Sequence, residues 1–180
     1  MSTKPPTLRL AESAALFLSG SLTGLSFAST ILLVPRLLES PVPLMLTQWT
    51  NAYIWGKTYM GPTALATSSI YLYLASRAGK GTSRANAYIA AAVLMVGIVP
   101  YTLGVMFRTN QKLQGRARVA ERVGRGEVVA ERERGGIEEE GAWEVKVEGS
   151  RYLVDHWGIL NLGRTAMLTA GAALGLYATL

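Results

Sequence analysis

The chain has no cysteine and a single histidine among its 180 residues. Disulfides, thiolate-held metals and cysteine nucleophiles are therefore excluded. A metal site of the usual nitrogen and sulfur type would have only one imidazole to draw on. Charge is missing as well, in blocks. Between Glu12 and Arg36 lie 23 uncharged residues, between Lys57 and Arg77 another 19, and between Arg84 and Arg108 a further 23. A fourth block, Trp157 to Leu180, is 24 residues long with Arg164 as its one charge. There is no convincing strand pattern and no glycine-rich phosphate loop behind one, so nucleotide-borne redox chemistry has no support. The blocks also lack the repeated acidic residues of a cation-channel ring.

What is present is apolar: 49% hydrophobic residues and a mean hydropathy of +0.23. A helix needs about 20 predominantly apolar residues to cross the hydrocarbon. Four spans fit, at about residues 11–34, 56–76, 85–107 and 157–179. The first run exceeds the apolar core of a signal peptide and reads as a retained helix. The expected fold is an all-α, four-helix integral membrane bundle forming a single domain over residues 1–180. The net charge of +6 marks orientation rather than nucleic-acid binding, because the basic residues are interleaved with acids or flank apolar runs.

Along the chain, the polar tail Met1 to Arg9 is expected to hold little fixed structure. Ser19, Thr23, Ser26 and Thr30 share one face of the first helix, either a packing face or the wall of a groove. Residues 40–56, SPVPLMLTQWTNAYIWG, are too polar for a confident span. Trp49 and Tyr53 share a face there, whereas Trp55 points elsewhere, above Tyr59. Aromatics on more than one face suit the membrane boundary, so an interfacial helix leading into the second span is expected. Pro100 is a kink site in the third helix. Residues 108–155 then carry ten Lys/Arg and ten Asp/Glu. This is read as an extramembrane loop, mobile for the most part, with one amphiphilic helix near Ala117 to Val129. The basic bias places it in the cytoplasm.

Topology brings three clusters to one mouth of such a bundle. Arg108, Thr109 and Asn110 leave the third helix, His156 and Trp157 open the fourth, and the 37–56 aromatic segment lies on the same side. On the fourth helix Trp157, Asn161, Arg164, Leu168, Gly171 and Gly175 form one stripe. GAALG at 171–175 and GSLTG at 20–24 are small-xxx-small patterns, and helices 1 and 4 are expected to touch there. Inward glycines turn Asn161 and Arg164 inward too. A central arginine costs about 2.5–3.5 kcal/mol on insertion scales. It can snorkel to the headgroups, tie the fourth helix to the third, or hold an anion. His156 is either a helix-start residue or a base working near neutral pH. A metal site is poorly supplied, since Asp155 and His156 are neighbours that do not face one centre.

PYTLGVMFRTNQKL (100–113), followed by a charged loop and HWGILNLGRTAM (156–167), resembles the anthrone oxygenase-like family of small four-helix membrane proteins. QWTNAYIWGKTYM resembles the family's aromatic segment, and the resemblance spans about residues 11–180. The Arg/Glu/Gly loop departs from the compact connection of many members and looks like an insertion. The resemblance implies oxidation of a polyketide anthrone to an anthraquinone by molecular oxygen, with no cofactor: no flavin, haem or metal. It implies a multi-pass protein of a fungal membrane such as the endoplasmic reticulum, working beside polyketide synthases. Asn110 matches the family's third-helix asparagine, and Trp157, Asn161 and Arg164 match the fourth-helix set. Oxidation of an anthrone needs a flat slot, a base and support for an enolate oxygen. His156 is the expected base, with Arg164, Asn161 and Asn110 as anion support; Trp49, Tyr53, Trp55, Arg108 and Trp157 are the expected substrate-binding residues. The expected partners are membrane lipid and a planar aromatic polyketide, not nucleic acid, and self-association into a homo-oligomer stays open. The competing reading is a non-enzymatic carrier or scaffold in which Arg164 holds a lipid phosphate.

Overall fold

The computed structural model describes residues 4–134 and 149–180, and every regular element among them is helical. The IEEEGAWE stretch of the charged loop lies outside the described residues. Proline at a first helical position gives up an N–H that has no partner anyway, and α1 (Pro6–Ala28) starts on Pro6. Lys4, in the tail expected to hold little fixed structure, is tied down. Lys4 Nζ pairs with Glu12 at 2.9 Å and donates to the Thr179 carbonyl at 3.0 Å. At the other end Pro35 has no N–H to offer the preceding turn. The helix widens into a π turn at Ser29–Leu33 and resumes as α2 (Val34–Leu38). The three pieces form one 33-residue rod, Pro6–Leu38, so the proline redirects the helix instead of ending it.

α3 (Val42–Arg77) is one helix of 36 residues. The aromatic segment and the second span, expected as two pieces, are thus continuous. At 1.5 Å per residue α3 is about 54 Å long, against roughly 30 Å of hydrocarbon. α4 (Ser83–Gly104) is capped by Thr82, whose hydroxyl accepts from the Ala85 N–H at 3.1 Å. α5 (Phe107–Gly124) follows almost at once, beginning ten residues before the helix expected in the loop. The single turn α6 (Glu131–Arg134) precedes α7 (Ser150–Thr179). Pro6–Leu38, Ser83–Gly104 and Ser150–Thr179 are long and apolar enough to cross a membrane, which makes the protein a helical membrane bundle. The Thr, Ser and Tyr residues of α3 keep it below that hydropathy, so three of the four expected spans meet it on length and composition.

Two cores stack along the bundle. The first joins Ala15, Leu22, Ala64, Tyr71, Tyr88, Met95 and Leu168 from α1, α3, α4 and α7. The second lies at the α5 end and joins Leu37, Met45, Leu46, Trp49, Met106, Leu113, Leu153 and Trp157. α5 is held there because Thr109, Asn110, Leu113 and Ala120 fall on its inner side while Arg108 and Arg118 stay exposed. Arg151 of α7 donates to the carbonyls of Leu38 and Ser40, closing the free carbonyl end of α2.

The polar stripe of α1 is a packing face. Ser19 bonds the Tyr71 hydroxyl at 3.0 Å, and Ser26 bonds the Thr165 hydroxyl at 2.8 Å. The two small-xxx-small patterns do not meet. Gly20 and Gly24 face open space, whereas a side chain at Gly171 would meet Met95 and Leu94, and one at Gly175 would meet Tyr71. The α7 glycines therefore admit α3 and α4, and hydroxyls and an amide hold α1.

Candidate active site

Between the two cores lies a cavity of about 370 Å³, walled by the π turn, α3, α4, α5 and α7. This is within the roughly 300–1,000 Å³ of small-molecule sites. Each wall has a local reason. The π turn presents Ser29 and Leu33; widened turns of this kind recur at functional sites. α3 contributes Tyr53, Lys57 and Gly61 at steps of four, hence on one face, with Gly56 and Met60 beside them. α4 supplies Ile98, Val99, Thr102 and Leu103, and α5 supplies Asn110, Gln111 and Gln114. α7 supplies Trp157 and, two turns further in, Arg164.

Four of the nine expected site residues come together here: Tyr53, Asn110, Trp157 and Arg164. Trp49 stands behind them, fully buried. Its ring stacks on Tyr53 (centroids 5.2 Å, planes 15° apart) and meets Trp157 edge-on at 6.1 Å. It braces the slot without lining it. The other four lie elsewhere. Asn161 is buried and turned to α1, donating to the Ser26 carbonyl at 2.8 Å and to the Thr30 hydroxyl at 2.9 Å. It ties α7 to α1, not to the third transmembrane helix. His156 stacks parallel on the exposed Tyr152 (5.8 Å, 7°), away from the cavity. Trp55 is exposed and packs on Tyr59, as its separate face predicted, and Arg108 is exposed on α5.

The electrostatics of the cavity are one-sided. Arg164 and Lys57 line it, and among the described residues no Asp or Glu does. Arg164 forms no ion pair among the described residues. Its Nη2 lies 3.8 Å from Met60 Sδ, a weak acceptor, and its buried Nε has no partner. Asn110 Oδ1 is likewise buried and unpartnered. Polar atoms in this condition cost stability, which makes them markers of a site that a ligand completes. Among the described residues no three His, Asp or Glu side chains gather to hold a metal. Sequence reasoning passed over Lys57, Gln111, Gln114 and Thr102. Lys57 was readable: it sits four residues from Tyr53, but was used only as a boundary charge.

Comparison with known proteins bears on the same residues. The anthrone oxygenase family matches residues 49–174, seven-tenths of the chain. The chain belongs to this family. The matched stretch contains every cavity-lining residue except Ser29 and Leu33 of the π turn. Anthrone oxygenase encC of Aspergillus fumigatus is 33% identical over 179 residues, covering 95% of this chain and 91% of its own. Anthrone oxygenase nsrD of Aspergillus novofumigatus is 38% identical over 108 residues, 58% of this chain and 64% of its own, just under two thirds of its length. A Claviceps purpurea anthrone oxygenase is 27% identical over 169 residues, 92% of this chain and 84% of its own. No solved structure matches the chain significantly. Family membership makes an oxygenase role the setting for the cavity.

Proposed function

We propose that the protein is an anthrone oxygenase that converts a planar polyketide anthrone to the anthraquinone with O2, using no cofactor. One observation carries this reading: an aromatic and aliphatic cavity holding a guanidinium with no acidic partner among the described residues. An anthrone presents an acidic methylene across the ring from a carbonyl. Loss of its proton puts negative charge on that carbonyl oxygen, where Arg164 can meet it in a site of low dielectric. Tyr53 offers a ring face to the substrate and Trp157, nearly at right angles to it, closes a side of the cavity; Trp49 holds both rings in place, and Asn110 presents an amide to the ring substituents. The electron-rich enolate passes an electron to O2, the two radicals combine at the methylene carbon, and loss of water from the resulting hydroperoxide leaves the second carbonyl. The sum balances as anthrone plus O2 giving anthraquinone plus water.

The same reading has α3 as the fourth membrane pass. It packs between α1 and α4 and turns Leu65, Leu72 and Tyr73 outward toward lipid, while its first turns stand clear of the bilayer beside α5. The cavity mouth then faces the cytoplasm, on the side rich in Arg and Lys. The test is oxygen uptake by purified protein in lipid nanodiscs with emodin anthrone. Uptake and anthraquinone formation in equal amounts, far above the spontaneous rate, are expected. No acceleration by folded protein that still binds the anthraquinone would make it a carrier.

A further inference from the structure

The proposed reaction needs a proton acceptor, and few walls of the cavity can supply one. α4, α5 and the π turn contribute no charged or titratable side chain to the lining. α3 contributes Tyr53 and Lys57, and α7 contributes Arg164. A guanidinium does not give up its proton in a protein and cannot act as a base. Tyr53 lies flat against Trp49 as part of the slot wall. The sole histidine is on the outer side of α7 against Tyr152. Lys57 remains. It is one helical turn from Tyr53 and one turn from Gly61, which has no heavy atom within 4 Å of where a side chain would start, so the ammonium group has room to swing over a bound ring. It is exposed, and it forms no ion pair among the described residues.

We infer that Lys57 is the catalytic base of the cavity, taking the methylene proton while Arg164 holds the enolate oxygen; this rests on the proposed oxygenase reading. The C–H bond breaks, its electron pair passes through the ring to the carbonyl oxygen, and Nζ takes the proton. After O2 adds, the Lys57 ammonium returns that proton to the terminal oxygen of the peroxide, giving the hydroperoxide on carbon. The amine then takes the second methylene proton as the O–O bond breaks, and the departing hydroxide receives it as water. Lysine ends as it began, so no external acid or base is consumed.

The test is a comparison of Lys57→Gln and Lys57→Arg in nanodiscs, with emodin anthrone as substrate and its anthraquinone as binding probe. Lys57→Gln is expected to lower kcat by about 100- to 1,000-fold while KM and anthraquinone binding stay within about threefold. Lys57→Arg keeps the charge but not the base, and is expected to fall as far. Added methylamine is expected to restore part of the Lys57→Gln rate and none of the Arg164→Gln rate. A Lys57→Arg enzyme near the wild-type rate would reduce Lys57 to a bare charge and overturn the inference. So would a Lys57→Gln enzyme that keeps its rate, or a Tyr53→Phe enzyme that alone loses it. If the wild type binds anthraquinone but oxidises no anthrone, both the oxygenase reading and the lysine assignment fail. Wild-type activity with an indifferent Lys57→Gln removes only the lysine.

Discussion

Replacing Arg164 by methionine should make the protein more stable and nearly inactive. The side chain is half-buried in the middle of α7, its buried Nε is unpartnered, and its nearest polar contact is a thioether 3.8 Å away. A charge at the centre of a membrane helix costs about 2.5–3.5 kcal/mol on insertion scales. The open cavity lets water reach part of the guanidinium, which offsets about half of that figure. Methionine fills a similar volume against Met60, so little packing is lost. The net gain should be about 1–2 kcal/mol, or roughly 2–8 °C in Tm at about 2–4 °C per kcal/mol for a chain of this size. Losing the donor at the enolate oxygen should cost about 100- to 1,000-fold in kcat, the range seen for single oxyanion donors. Thermal unfolding followed by tryptophan fluorescence in detergent, beside oxygen uptake in nanodiscs, measures both. A variant that is less stable yet active would refute the reasoning, because Arg164 would then be a structural tie and not an unsatisfied charge kept for the ligand.

Asn161→Leu should do the reverse, lowering Tm while the folded fraction keeps kcat within about threefold. Two hydrogen bonds to α1 are lost, and interhelical bonds in membranes average about 0.6 kcal/mol with a maximum near 1.7, so a loss of about 1–2 kcal/mol is expected in chemical unfolding. A double-mutant cycle with Thr30→Val should show coupling of that size. Gly175→Val should cost about 1–3 kcal/mol by overpacking against Tyr71 and breaking its bond to Ser19. Gly24→Ala, which meets open space, should be neutral or stabilising by up to about 1 kcal/mol in the same unfolding experiment. His156→Ala should oxidise emodin anthrone at close to the wild-type rate; a loss of 100-fold or more would restore the histidine as the base.

Those paired glycines and polar residues show where sequence stops being informative. Uncharged block lengths alone mark α1, α4 and α7 as membrane helices, because the hydrocarbon sets one length scale and penalises every charge. Steps of three and four correctly placed Asn161, Arg164 and the glycines on the inward side of α7. They did not say which neighbour each one meets. Asn161 and Arg164 are three residues apart, about 60° round the helix, and that angle sends one amide to α1 and one guanidinium into the cavity. The α7 glycines receive Tyr71 and Met95, and not the glycines of α1, because the Ser19, Ser26 and Thr30 hydroxyls fix the rotation of α1.

The sequence by itself determined that the protein is a helical membrane bundle with aromatic and polar residues gathered at one end. It put Arg164 on the glycine stripe of the last helix but left snorkelling to the headgroups open, since hydropathy and period are local properties. Only the tertiary structure decided that α3 runs unbroken past Trp49, that α5 folds down as a fifth wall, and that the histidine faces outward while Lys57 faces the cavity. Those outcomes depend on how four or five helices rotate against one another. The rotation is settled by packing and hydrogen bonds between residues as far as 175 positions apart in the chain, a separation no local pattern can read.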